Sequence, residues 1–241
     1  MEYLSAVVFL FSLGASVGWL LELVYRRIAH GRWINPGFLV GPCLPLYGSG
    51  VLLLYLLCSL KLSFVGTVWL RECLRVLIIT LTLTAIEYVT GVVFTKYYHV
   101  RLWDYSSRPG NIDGQICPLF SLIWGALGAA YAFFLHGRLV AACTTVAKSP
   151  VWLFLSGIYV GVFLVDCVYS LGVVRNIKRF AEEHKLQIRY EHLKLSVAER
   201  AKKLRVRQNL VFPLGGSAER LRASLEGYIN TLREKTSKTN K

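Results

Sequence analysis

Negative charge is scarce in this sequence: 14 Asp and Glu among 241 residues, against 28 Lys and Arg. The six cysteines, at 43, 58, 73, 117, 143 and 167, form no Cys-x-x-Cys pair, and most lie in apolar runs. They read as small buried hydrophobes rather than as a disulfide or ligand set. There is no Gly-x-x-x-x-Gly-Lys-Ser/Thr phosphate loop, no His-Glu-x-x-His and no nucleophile motif. The chain is therefore not expected to hydrolyse nucleotides by itself, nor to be an enzyme. The five histidines, at 30, 99, 136, 184 and 192, are scattered. No aromatic-basic platform accompanies the positive charge, so nucleic acid is not an expected partner. Only Met1-Glu2 precedes the first apolar run, without a basic n-region or a following cleavage pattern, and that run is expected to be a retained helix.

What is abundant is apolar surface. Hydrophobic residues make up 54% of the chain, and the mean hydropathy is +0.47. A bilayer core needs about 20 mostly apolar residues in helical form. Five runs approach that length: Tyr3–Tyr25, Leu44–Leu60, Leu74–Tyr98, Pro118–Leu135 and Val151–Val174. The second is the weakest, because Lys61 and Leu62–Leu70 either extend it or form an interfacial segment. The expected fold class is an all-α integral membrane protein, a compact bundle of about five transmembrane helices followed by a basic, helical C-terminal tail. The expected division is residues 1–175 for the membrane domain and 176–241 for the tail.

The net charge of +14 is concentrated at the end: residues from Arg175 onward hold 17 Lys and Arg but 7 Asp and Glu. Lys and Arg keep their flanks cytoplasmic. That places the tail inside and, with five spans, the N-terminus outside. The tail reads as helix to about Gln208, broken by Pro213–Gly216. A second helix then follows with Ser217 as N-cap and a stripe at Leu221, Leu225, Tyr228, Ile229 and Leu232. Anionic lipid is the natural surface for such a tail.

Two loops echo each other. Gly18-Trp19-Leu20-Leu21-Glu22 leads to Asn35-Pro36-Gly37-Phe38-Leu39, Gly41-Pro42 and Pro45 with Tyr47-Gly48. Glu87-Tyr88-Val89-Thr90-Gly91 leads to Trp103-Asp104-Tyr105-Ser106 and Asn111-Ile112-Asp113-Gly114. In each, a helix with one acid runs through an Asn- and Gly-containing loop into the next span. The first loop is apolar yet irregular, which lipid does not tolerate, so it is expected to be re-entrant or interfacial. Its glycine-rich backbone has N–H groups to offer an anion. Trp103 and Tyr105 suit an aromatic belt, but Asp104 between them does not.

Carboxylates inside apolar spans are functional candidates by default. Glu22 lies three residues before Tyr25 and either snorkels, pairs with Arg26 one turn on, or serves a site. Glu87 lies 11 residues before Tyr98, about 16 Å along a helix axis. Asp166 lies eight residues before Val174, about 12 Å in by the same rise. Spans one, three and five run in the same direction, and two readings stay open. Either Glu22, Glu87 and Asp166 converge on one polar cavity, or each is held by its own neighbours. The expected binding residues for a cation, proton or cationic substrate are Glu22, Glu87, Asp166, Asn35, Trp103, Asp104, Tyr105 and Asn111, with cofactor and metal left open. Gly14 and Gly18 in span one, and Gly157 and Gly161 in span five, are small faces for close helix packing.

The quoted motifs resemble the CmpB-like family of bacterial ABC-transporter permeases, type IV, over roughly residues 3 to 175. The resemblance implies a bacterial cytoplasmic-membrane protein, the membrane part of a transporter, with a separate ATPase subunit supplying nucleotide hydrolysis. Transport is the leading function. The alternatives are a scaffold that recruits a cytoplasmic partner through the tail, and a membrane enzyme using Asp104, Asp113 and Glu22 on a lipid-linked group.

Overall fold

The computed structural model describes residues 2–203 and 221–230. Helix α1 spans Glu2–His30, α2 Pro45–Ser59, α3 Val68–Tyr98, α4 Pro118–Ala130, α5 His136–Ala147, α6 Pro150–Glu183 and α7 Tyr190–Lys203. A π-helical turn, Tyr131–Leu135, joins α4 to α5 without a break. The two-residue strands β1, Val100–Arg101, and β2, Ile188–Arg189, pair in parallel. Residues 221–230 are helical. Pro213–Gly216, Ser217 and Leu232 lie outside the described residues.

Prolines open α2, α4 and α6, where their missing N–H is no loss. Among the described residues, four stretches are long and apolar enough to cross a membrane: Tyr3–Ala29, Val68–Tyr98, Pro118–Ala147 and Pro150–Glu183. All four are longer than expected from sequence, the fourth and last runs by most. The fourth span continues past Leu135 because nothing at His136-Gly137-Arg138 breaks a helix, a single glycine costing about 1 kcal/mol. The last runs on to Glu183, and β2 then interrupts the tail before α7.

Helix α2 is different, with 15 residues and about 22 Å of length. It does not start at the end of α1. The Leu44 amide donates to the Ala15 carbonyl at 3.0 Å, so by Leu44 the chain has returned to the middle of α1. From there α2 runs antiparallel to α1. A Cβ on Gly14 would lie 2.6 Å from Val51, and one on Gly18 would overlap the Tyr47 ring. Gly48 in turn admits Phe11. The small face of α1 is thus filled by α2. On α4, Gly125 does the same for Thr80 of α3. Gly157 and Gly161 on α6 have open space instead. The Arg75 guanidinium caps α2 by donating to the Leu57, Cys58 and Leu60 carbonyls.

The chain divides into two compact units. The first comprises residues 1–21, 43–90 and 105–165, the second 22–42, 91–104 and 166–241. The first has an apolar centre at Leu54, Ile79, Leu83 and Tyr131. In the second, Val100, Ile177, Phe180, Ile188, Leu193, Leu225 and Tyr228 form a core against which Phe38 and Leu102 pack. Described apolar residues of the basic tail therefore enter this core. The stripe at Leu221, Leu225, Tyr228 and Ile229 belongs to this core.

Candidate functional site

In the first unit the polar centre is Glu87, 3% exposed on an otherwise apolar helix. Its two carboxyl oxygens are held by different elements. The Tyr105 hydroxyl donates to Oε1 at 3.1 Å, and the Trp124 indole N–H donates to Oε2 at 2.9 Å.

Each donor is seated by local sequence. Tyr105 belongs to a loop that closes on itself: its amide donates to the Gly114 carbonyl, and Ile112 pairs with Ile116. Asn111 stitches that loop, its Nδ2 donating to the Ser106 and Arg108 carbonyls and its Oδ1 accepting from the Gly114 amide. Asp113 and Gly114 make the reversal, both with positive φ. The Tyr105 ring stacks on Phe120 at 4.4 Å. Trp124 sits in the second turn of α4, with Tyr47 packed against its ring at 5.5 Å. A line of contacts runs from Gly18 to Tyr47, Trp124 and Glu87. Beside it, the Tyr88 hydroxyl donates to Asp113 Oδ2 at 3.0 Å.

In the second unit the loop between α1 and α2 is gripped by three groups. Asn35, 2% exposed, turns its amide onto the Leu39 and Val40 carbonyls of its own loop. Asp166 accepts from the Val40 and Gly41 amides at 3.0 and 2.8 Å, and from the Ser170 hydroxyl at 2.8 Å. Gly41 permits that approach, since a Cβ there would lie 2.8 Å from Asp166 Oδ2. Lys194 of α7 donates to the Asn35 and Gly37 carbonyls at 2.8 and 2.6 Å. The backbone N–H groups that the sequence offers to an anion are thus answered, at Val40 and Gly41, by this chain's own carboxylate.

Several charges of the second unit enter ion pairs. Arg26 bonds Glu191 at 2.6 Å and lies 3.8 Å from Glu22. Asp104 sits between Arg101 at 2.8 Å and Arg189 at 2.9 Å. Burial, and after it the nearby Arg26 charge, push the Lys194 ammonium well below the ordinary lysine range, with Glu191 opposing.

Of the residues expected from sequence, Glu87 and Tyr105 meet directly, and Asn111 shapes the loop that delivers Tyr105. Asn35 and Asp166 act on the same peptide at Val40. Glu22 and Asp104 each enter an ion pair, and Trp103 is half-buried beside Asp104. Sequence reasoning passed over Trp124, Lys194 and Arg189, and quoted Tyr47 only as part of a motif. Trp124 left a signal, because an indole N–H in an apolar span needs an acceptor. Lys194 left none: it is one of 17 basic residues from Arg175 onward. Among the described residues no group of three or more His, Cys, Asp or Glu is placed to hold a metal.

Residues 9–171, more than half of the chain, match the family described as Putative ABC-transporter type IV. Comparison with curated proteins and with solved structures finds no match.

Proposed function

From the premise that this chain belongs to the Putative ABC-transporter type IV family, we propose that it is the membrane subunit of a transport system, with Glu87 as its intramembrane acidic site for a proton or other cation. The observation that carries this is a carboxyl 3% exposed, about 16 Å inside a 31-residue apolar helix, met by two donors from other segments. Packing alone needs no carboxyl at that depth, where such groups mark ion and proton pathways. The chain has no phosphate-loop motif, so a separate ATPase supplies any nucleotide hydrolysis.

The bacterial cytoplasmic membrane is the proposed location, with the N-terminus outside and the C-terminus inside. Five crossings are compatible with the short α2, because the preceding loop covers the first half of that passage. The acids available to an enzymatic reading are engaged elsewhere: Asp104 by two arginines, Asp113 by Tyr88 and Glu22 by Arg26. A tail devoted to recruitment is also less favoured, because Arg189 and Lys194 are used inside the second unit.

The test uses inverted membrane vesicles from cells expressing the full chain, with a proton-sensing dye or ethidium as probe. ATP-dependent movement of one probe is expected with the native chain and is lost with Glu87→Gln at equal membrane insertion. Equal movement in both would remove Glu87 from the function.

A further inference from the structure

Resting on the reading of Glu87 as a transport site, we infer that the ion this site takes is a proton and not a metal ion. Three observations lead there. Both carboxyl oxygens are already occupied by directed donors, the Tyr105 hydroxyl and the Trp124 indole N–H. A hard metal ion prefers six or more oxygen ligands, which two such donors cannot become without leaving. The two donors are themselves packed by rings: Phe120 stacks on Tyr105 at 4.4 Å, and Tyr47 packs on Trp124 at 5.5 Å. A proton needs no volume there and leaves both packed rings in place.

The third observation is the chemistry of the two donors. An indole N–H only donates, so Oε2 accepts from Trp124 whether or not Glu87 carries a proton. A phenol both donates and accepts. With Glu87 ionised, the Tyr105 hydroxyl donates to Oε1. When a proton from the aqueous phase bonds to Oε1, the new O–H donates to the Tyr105 oxygen and the phenol turns its own hydrogen away. One O–H bond forms, and the Tyr105 and Trp124 contacts stay hydrogen-bonded in either state. The pair of donors is thus matched to a group that alternates between carboxylate and carboxylic acid.

Among the described residues, titratable groups beside these donors include Tyr47 on α2, which packs on Trp124, and the Tyr88–Asp113 pair.

The test is infrared difference spectroscopy of the full chain in lipid across a pH series. The carboxylic acid C=O stretch appears as pH falls. We expect Glu87→Gln to abolish that band, and Trp124→Phe to keep it at a shifted frequency. Trp124→Phe leaves the carboxyl in place and serves if Glu87→Gln fails to insert. Sodium, calcium and tetramethylammonium, added at constant pH, are expected to leave the Glu87 bands unchanged. No Glu87-dependent acid band at any pH, or a carboxylate band moved by one of these cations, would overturn the inference. A titrating band in a chain that moves no probe would instead count against the transport reading alone.

Discussion

At the scale of single residues, Glu87 and Lys194 are the two buried groups whose chemistry can be separated from their packing. Glutamine at 87 keeps an acceptor for Trp124 and a donor for the Tyr105 oxygen, so Glu87→Gln is expected to melt close to the native chain in detergent. Glu87→Leu leaves the indole N–H unanswered and should cost about 1–3 kcal/mol. Thermal melts of the two purified variants check this. For Lys194 the sign follows from burial. Its folded pKa lies well below the ordinary value of 10.5. Between those two pH values the unfolded chain binds one more proton, so stability rises with pH across that interval and is flat below it. Lys194→Met is expected to remove that slope, read as melting temperature against pH up to about 10.5. Glu87 could be picked out beforehand because its depth follows from counting residues along an apolar run. Its partners could not, since a hydroxyl 18 residues on and an indole 37 residues on leave no periodic trace. Lys194 was invisible for a different reason: its role depends on which carbonyls it reaches.

Among the elements, glycine divides into positions with a partner and positions without one. Gly18 of α1 holds the Tyr47 ring where a Cβ would overlap it, while Gly157 of α6 has open space. Gly18→Leu is expected to destabilise the chain by about 1–3 kcal/mol, and Gly157→Leu to stay within about 0.5 kcal/mol. Melting temperatures of both variants decide it. The two spacings look alike in sequence, which records small residues but not the helix that comes to meet them. The loop between α1 and α2 was legible as irregular and tucked, because prolines and glycines forbid a helix and lipid forbids open backbone. What closes it was not. Gly41→Ala should push the Val40 and Gly41 amides off Asp166 and speed their hydrogen exchange about tenfold or more, as losing one charge-assisted bond of about 1.5–3 kcal/mol implies. Exchange unchanged at those two amides would refute the latch.

On the scale of the whole chain, the family match ends at residue 171, yet the core of the second unit draws on residues as far as Ile229. A chain cut after Asn176 loses Ile177, Phe180, Leu193 and Leu225 from that core, and Lys194 from the loop it holds. Such a chain is expected to show fast exchange throughout residues 34–41, measurable by mass spectrometry. The membrane character of the molecule was plain in its composition, because a bilayer sets a length that apolar runs either reach or miss. The folding of the tail was not. Its apolar residues are spaced too patchily for one amphipathic helix, and they make sense only once β2 and α7 turn the chain back on itself.

The most direct measurement is proton flux through the full chain purified into sealed lipid vesicles, followed with an internal pH dye after an external pH jump. Native vesicles are expected to show a flux that falls at least tenfold in Glu87→Gln and persists in Asp166→Asn. Equal flux in native and Glu87→Gln vesicles, with equal protein inserted, would contradict it.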